Sequence, residues 1–270
     1  MNYSKLNIII PVAALVATFI SCSPKTANVI SRQKNAVNVD GKAEEYGEFR
    51  YYNSEAKMFY NLSNDNENLY LCLKINDENI QQQILMAGMD VWLDTLSKAK
   101  EQIGIRYPLP GVRPTMPEFK GAGQPREKPD VAKMKQNMLM SQKTMDLRGF
   151  KNATNGSNFL QTTDGIKLQL DWDANNCLIY ELAIPLKNWY KPTLAKSDTA
   201  KIFTLTININ AFEMPSGAPG GFNGPPDGNM GGPPSGSGMG GPPSGMRPPM
   251  EGLSEKKTVK ANFKLHVNAS

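Results

Sequence analysis

The sequence predicts an all-β fold, an antiparallel β-sandwich of short strands. Two observations carry this. Apolar and polar residues alternate with period two in several runs of five to eleven residues, and clusters of Asn, Asp and Gly separate those runs. The overall make-up, 40% hydrophobic and 20% charged, is that of a chain able to bury a core.

The elements follow in chain order. Residues 58–62 are apolar and β-prone, and residues 64–68 are a turn cluster. Leu69, Leu71, Leu73 and Ile75 then share one face, so the two runs read as a hairpin. Residues 79–87 form a brief helix closed by Gly88. Residues 90–94 alternate again. Ile166, Leu168, Leu170 and Trp172 line one face of a later strand. Residues 173–176 turn the chain, and residues 177–184 return until Pro185 stops them. Residues 202–212 form a long strand. The last strand, residues 258–267, puts Val259, Ala261, Phe263, Leu265 and Val267 on one face.

The N-terminus reads as an export signal over residues 1–21. Lys5 supplies a positive start, residues 8–20 are apolar, and Ser21 precedes Cys22. The apolar run is shorter than the about 20 residues that a bilayer span takes. A small residue before a cysteine is what lipoprotein signal peptidase cuts at, so Cys22 is the expected lipidation site. Residues 22–36 are then a polar tether, and residues 37–270 the folded domain. Two or three acyl chains hold a protein stably on a membrane. Residues 23–26 carry no acidic cluster, so the expected location is the outer membrane, lipid-anchored and facing the periplasm.

Two insertions interrupt the strands. Residues 108–144 open Pro-rich and turn helical from about Asp130, with Met134, Met138 and Met145 at helical spacing. Residues 214–252 hold 13 glycines and 10 prolines and repeat Met-Gly-Gly-Pro-Pro-Ser-Gly, which predicts a long disordered loop. Residues 106–151 carry ten basic and four acidic side chains, more than the net +5 of the whole chain. In an exported protein that excess argues against nucleic acid and for a solvated face, lipid phosphates or an acidic polymer.

Three short patterns resemble a known family. Val39-Asp40-Gly41, followed by Tyr46 where a Trp is usual, resembles the opening of family 9 carbohydrate-binding modules and DOMON-like sandwiches. Asn64-Asp65 with Leu69-Tyr70-Leu71 resembles their hairpin, and Glu181-Leu182-Ala183-Ile184-Pro185 their strand exit. The resemblance spans residues 37–212 and 256–267 and implies a β-sandwich of about nine to eleven strands that binds sugars, haem or other small ligands on one sheet face or at its rim. Fold alone does not choose among these.

The chemistry narrows the choice. The single histidine, His266, leaves no His-based triad or His-Glu-x-x-His zinc site. Asp90 and Asp94 share a strand face about 13 Å apart, too far for a glycosidase pair. Asp40, Asp65, Asp77 and Asp94 at strand ends read as turn formers rather than calcium ligands, and no metal or cofactor is expected. Methionine thioethers leave Cu(I) as a minor reading. Cys72 and Cys177 lie in strand-like runs and are expected as free buried thiols. Trp92 and Trp172 read as core. Tyr51, Tyr52, Trp189 and Tyr190 adjoin charged or turn residues and are the expected exposed, ligand-binding aromatics. The expected function is a non-catalytic, lipid-anchored binding module, for a glycan. The alternative is envelope assembly, with the Gly/Pro/Met loop and basic insertion engaging a partner protein.

Overall fold

A computed structural model describes residues 27–96, 100–110, 131–212 and 253–267. The signal segment, Cys22, most of the Pro-rich stretch and the Gly/Pro/Met loop lie outside the described residues, as do the expectations that fall on them. The fold is the all-β sandwich that the alternation predicts. The described residues contain thirteen strands in two sheets. The number exceeds the nine to eleven expected, and β1 (Asn28–Val29), β2 (Ser31–Arg32) and β3 (Tyr51–Asn53) are edge pieces too short to alternate.

The six-stranded sheet is built on the expected hairpin of β4 (Met58–Asn64) and β5 (Asn68–Ile75), in register from Met58 opposite Ile75 to Asn64 opposite Leu69. Asp65 closes the turn. One of its carboxylate oxygens accepts from the backbone N–H groups of Glu67 and Asn68, and the other from the Tyr70 hydroxyl, all at 2.7 Å. An α-helix, α1 (Glu78–Ala87), then carries the chain to the second sheet. Asp77 caps it by accepting from the backbone N–H groups of Asn79 and Ile80, and Gly88 ends it at φ 83°.

The seven-stranded sheet contains β6 (Met89–Asp94), β7 (Ile103–Arg106), β8 (Thr144–Arg148), β9 (Gly156–Phe159), β12 (Phe203–Ile209) and β13 (Lys257–Lys264), with β1 parallel to β13. The insertion with its helix α2 (Val131–Ser141) joins the paired strands β7 and β8. The Gly/Pro/Met stretch joins β12 and β13, which pair antiparallel from Phe203 opposite Phe263 to Ile209 opposite Lys257. Both insertions therefore leave from hairpin ends, where extra length costs little closure entropy. The chain crosses back to the six-stranded sheet at β10 (Lys167–Trp172) and β11 (Leu178–Pro185).

Alternation decides what is inside. Leu69, Leu71 and Leu73 of β5, Leu178, Tyr180 and Leu182 of β11 and Leu205 and Ile207 of β12 are at most 2% exposed and fill the space between the sheets. Each such side chain contributes about 1.5–3 kcal/mol on burial. The opposite faces are where function is to be sought.

Candidate functional site: a polar cleft beside an aromatic patch

The outer face of the six-stranded sheet is covered by the segment running from β2 through a 3-10 turn at Glu44–Tyr46. Val37, Val39, Ala43, Tyr46 and Phe49 pack onto Tyr70, Cys72, Ile179 and Ala183. One carboxylate fastens this cover. Glu181 of β11 accepts from the backbone N–H groups of Asp40 at 2.9 Å and Gly41 at 2.5 Å. Two of the three patterns met in the sequence thus touch each other across 140 residues. Gly41 sits at φ 88°, and a Cβ there would come 2.6 Å from the Asp171 Cβ, so only glycine fits. Burial pushes the Glu181 carboxyl up to about 7. The two backbone donors pull it back, and the charges of Glu45 and Asp40 push it further up.

Cys72 and Cys177 are both buried and free. On the ladder Cys72 faces Glu181, and Cys177 lies four residues before Glu181. That separation, about 13 Å, is too long for a disulfide.

Where the covering segment leaves the sheet edge, a cleft of about 340 Å³ opens between it and β4. Its volume lies at the small end of the ~300–1,000 Å³ range of ligand pockets. Its walls carry Arg32, Gln33, Lys34, Glu44, Glu45, Arg50, Asn61 and Ser63. Asn61, 7% exposed, holds the walls together. Its carbonyl oxygen accepts from the Arg50 backbone N–H at 2.8 Å, and its amide donates to the carbonyls of Tyr46 and Glu48 at 3.2 and 2.9 Å. The Ser63 hydroxyl donates to Gln33 at 2.8 Å. The cleft is thereby shaped in advance by the fold, with cations and carboxylates around its mouth.

An aromatic patch adjoins it. Strand β3 pairs with β4 so that Tyr51 lies opposite Tyr60 and Tyr52 opposite Phe59. Tyr51 turns toward the core and stacks on Tyr60 at 5.0 Å. Tyr52 turns outward, 55% exposed, with its ring 4.6 Å from Phe59, which in turn stands 6.5 Å from Phe49. Phe59 and Asn61 are alternate residues on one face of β4, about 7 Å apart. The patch and the cleft are therefore continuous, and Arg50 stands in sequence between Phe49 and Tyr51.

Three of the four expected exposed aromatics, Tyr51, Trp189 and Tyr190, are corrected. Tyr51 packs toward the core because its parity on β3 sets it against Tyr60. Trp189 is fully buried, not exposed. Charged neighbours pointed outward, but a one-turn helix, α3 (Leu186–Trp189), follows Pro185 and brings Leu186 and Trp189 onto one inward face. There the indole meets Phe203 edge-to-face at 5.2 Å. Tyr190 is half-buried and committed to the fold. Its hydroxyl donates to Asp198 at 2.5 Å, Lys191 pairs with the same carboxylate, and the Lys201 ammonium lies 4.3 Å from the ring centre.

Trp92 is buried, as expected, at 8% exposed. It packs on the outer face of the seven-stranded sheet, against Gly104, where a Cβ would come 2.2 Å from the ring. Its parity gave the sign, since Asp90, Trp92 and Asp94 share a face. Around it the polar groups hold one another. Arg106 donates to both Asp90 oxygens at 2.5 and 3.1 Å, Asn210 donates to Asp90 at 3.1 Å, and Asn208 donates to Glu101 at 2.8 Å. Asp94 accepts from the backbone of Leu96 and Lys100. Asp40, Asp65, Asp77 and Asp94 thus all accept backbone N–H groups in turns or caps. Among the described residues, no group of three or more His, Cys, Asp or Glu is placed to hold a metal.

No family model matches the chain, and no curated protein does. Among solved structures, the chain is similar to a family 9 carbohydrate-binding module from Caldicellulosiruptor kristjanssonii in complex with glucose. That similarity has 8% identity and a TM-score of 0.40, over 90% of this chain and 97% of the other. A structure of a family 9 module from the same organism with cellotriose gives 11% identity and a TM-score of 0.33, over 68% of this chain and 76% of that one.

Proposed function

We propose that the chain is a lipid-anchored, non-catalytic binding module that takes a glycan where the aromatic patch meets the cleft. The observation that carries this is the continuity of Tyr52 and Phe59 with the polar walls. A pyranose presents an apolar C–H face and a rim of hydroxyls. The rings accept the first, and Arg50, Lys34, Gln33 and Glu44 reach the second. The carboxylates lining the cleft, Glu44 and Glu45, are neighbours on one 3-10 turn rather than opposed across it. Glycoside hydrolysis needs two that flank the bond.

The test is binding by a glycan panel followed as thermal stabilisation. A ligand at a hundred times its Kd adds about 2.7 kcal/mol. Tyr52→Ala and Arg50→Ala are each expected to weaken binding about tenfold or more, and Tyr52→Ala to leave the melting temperature nearly unchanged. A panel without any stabilising member would turn the reading toward envelope assembly through a protein partner.

The anchor belongs to the same proposal, with the protein held on the outer membrane and facing the periplasm. Cys22→Ala is expected to leave the precursor uncut and without incorporated fatty acid. Equal labelling of the variant would remove Cys22 as the lipid site.

A further inference from the structure

Residues 253–267 carry four lysines, Lys256, Lys257, Lys260 and Lys264, against one carboxylate, Glu255. Lys260 and Lys264 alternate on the outward face of β13, with Lys256 exposed just before the strand. No ion pair among the described residues involves any of the four. The carboxylates two strands away on the same face, Asp90 and Asp94, are buried and already accept Arg106, Asn210 and backbone donors. Glu101, on the same face, accepts from Asn208 and pairs with none of these lysines, so the row keeps a net positive charge.

Its place along the chain gives it a partner. β1 lies beside β13, with Asn28 opposite Phe263 and Val29 opposite Lys264. Val29 is 57% exposed. Asn28 is six positions after Cys22, and six residue steps span at most about 20 Å even when extended. A lipid on Cys22 therefore keeps the headgroups within about that distance of β13. Lys260 is three residues from Phe263, about 10 Å along the strand.

Resting on the anchor reading, we propose that the flank of the sandwich formed by β1 and β13 docks on the anionic lipid surface that carries the anchor, through Lys256, Lys260 and Lys264. The glycan cleft lies on the other sheet, on the outer side of β4, and its wall at Ser31 begins two residues from Val29. Each lysine near an anionic surface adds roughly fivefold to its attraction, so the row adds on the order of a hundredfold.

The test uses the lipidated chain in vesicles of phosphatidylethanolamine and phosphatidylglycerol, and in phosphatidylcholine alone. Lysine acetylation is mapped by mass spectrometry. On the anionic vesicles Lys256, Lys260 and Lys264 are expected to react several-fold more slowly. Lys167 and Lys187, on the opposite flank, are expected to react equally in both. The protection should disappear at high salt, where screening shortens to a few ångström. Equal reactivity of β13 lysines on both vesicles, with the protein shown to be anchored, overturns the proposal. Should Cys22 prove unlipidated, the anchor reading falls separately. The unlipidated chain is then sedimented with the same anionic vesicles, alongside a variant with all three lysines changed to Gln. Adsorption lost on the order of a hundredfold in the variant supports the docking flank. No adsorption, or binding only to a soluble polyanion, overturns it.

Discussion

Trp189→Ala is expected to destabilise the protein by about 3–5 kcal/mol, the range for emptying a large buried aromatic site. The indole is fully buried between α3 and the core, edge-on to Phe203, which itself stacks on Phe263 at 5.5 Å. Truncation leaves a cavity between these rings and removes their contacts, and the strands around it cannot close the gap without breaking register. The melting temperature should fall by roughly 10 °C. Tyr52→Ala, which removes an exposed ring, is the control. A cost below about 1 kcal/mol for Trp189→Ala would place the indole outside the core and restore it as a ligand-binding candidate.

Glu181 gives the second large effect, and its sign is opposite to that of most carboxylates. Its folded pKa of about 7 stands above its ordinary value of 4.5, chiefly because the group is buried. The folded state therefore holds the proton more tightly than the unfolded chain. The contribution to stability is fully present below pH 4.5 and is lost as pH rises through about 7. The loss amounts to about 3 kcal/mol between those limits. Glu181→Gln keeps an acceptor for the Asp40 and Gly41 N–H groups and removes the titration. It should flatten this part of the stability–pH curve. Glu181→Ala should instead lower stability throughout, since two backbone donors lose their acceptor, at about 1–3 kcal/mol. Parallel pH profiles for the wild type and the Gln variant would show that Glu181 does not titrate with folding.

Most of the fold was legible in the sequence, for a local reason. The hairpin of β4 and β5, the returning pair β10 and β11, and strands β12 and β13 each carry several alternating apolar residues. Strands β7, β8 and β9 were not read. They are four or five residues long, and Gly104 and Gly156 interrupt their patterns. The hairpin of β7 and β8 is also hidden by the insertion between its arms.

The site was half legible. The exposure of Tyr52 was legible because its neighbours are polar. Trp189 was misread for the same reason, since a single helical turn reverses what neighbouring charge implies. The burial of Trp92 was legible, and its alternation with Asp90 and Asp94 gives the sheet face it is buried on. The cleft has no local signature. Arg32, Glu44, Arg50 and Asn61 converge only because the segment after β2 folds over the sheet, pinned by Glu181 far along the chain.

The most direct test of the glycan reading is an amide and aromatic NMR titration with whichever oligosaccharide stabilises the protein. The expected result is shifts confined to Tyr52, Phe59, Arg50 and the Asn61 side-chain amide, with intermolecular contacts from sugar C–H groups to the Tyr52 and Phe59 rings. Shifts concentrated instead around Trp92 and Asn208 on the other sheet, with the Tyr52 ring unmoved at saturation, would contradict it.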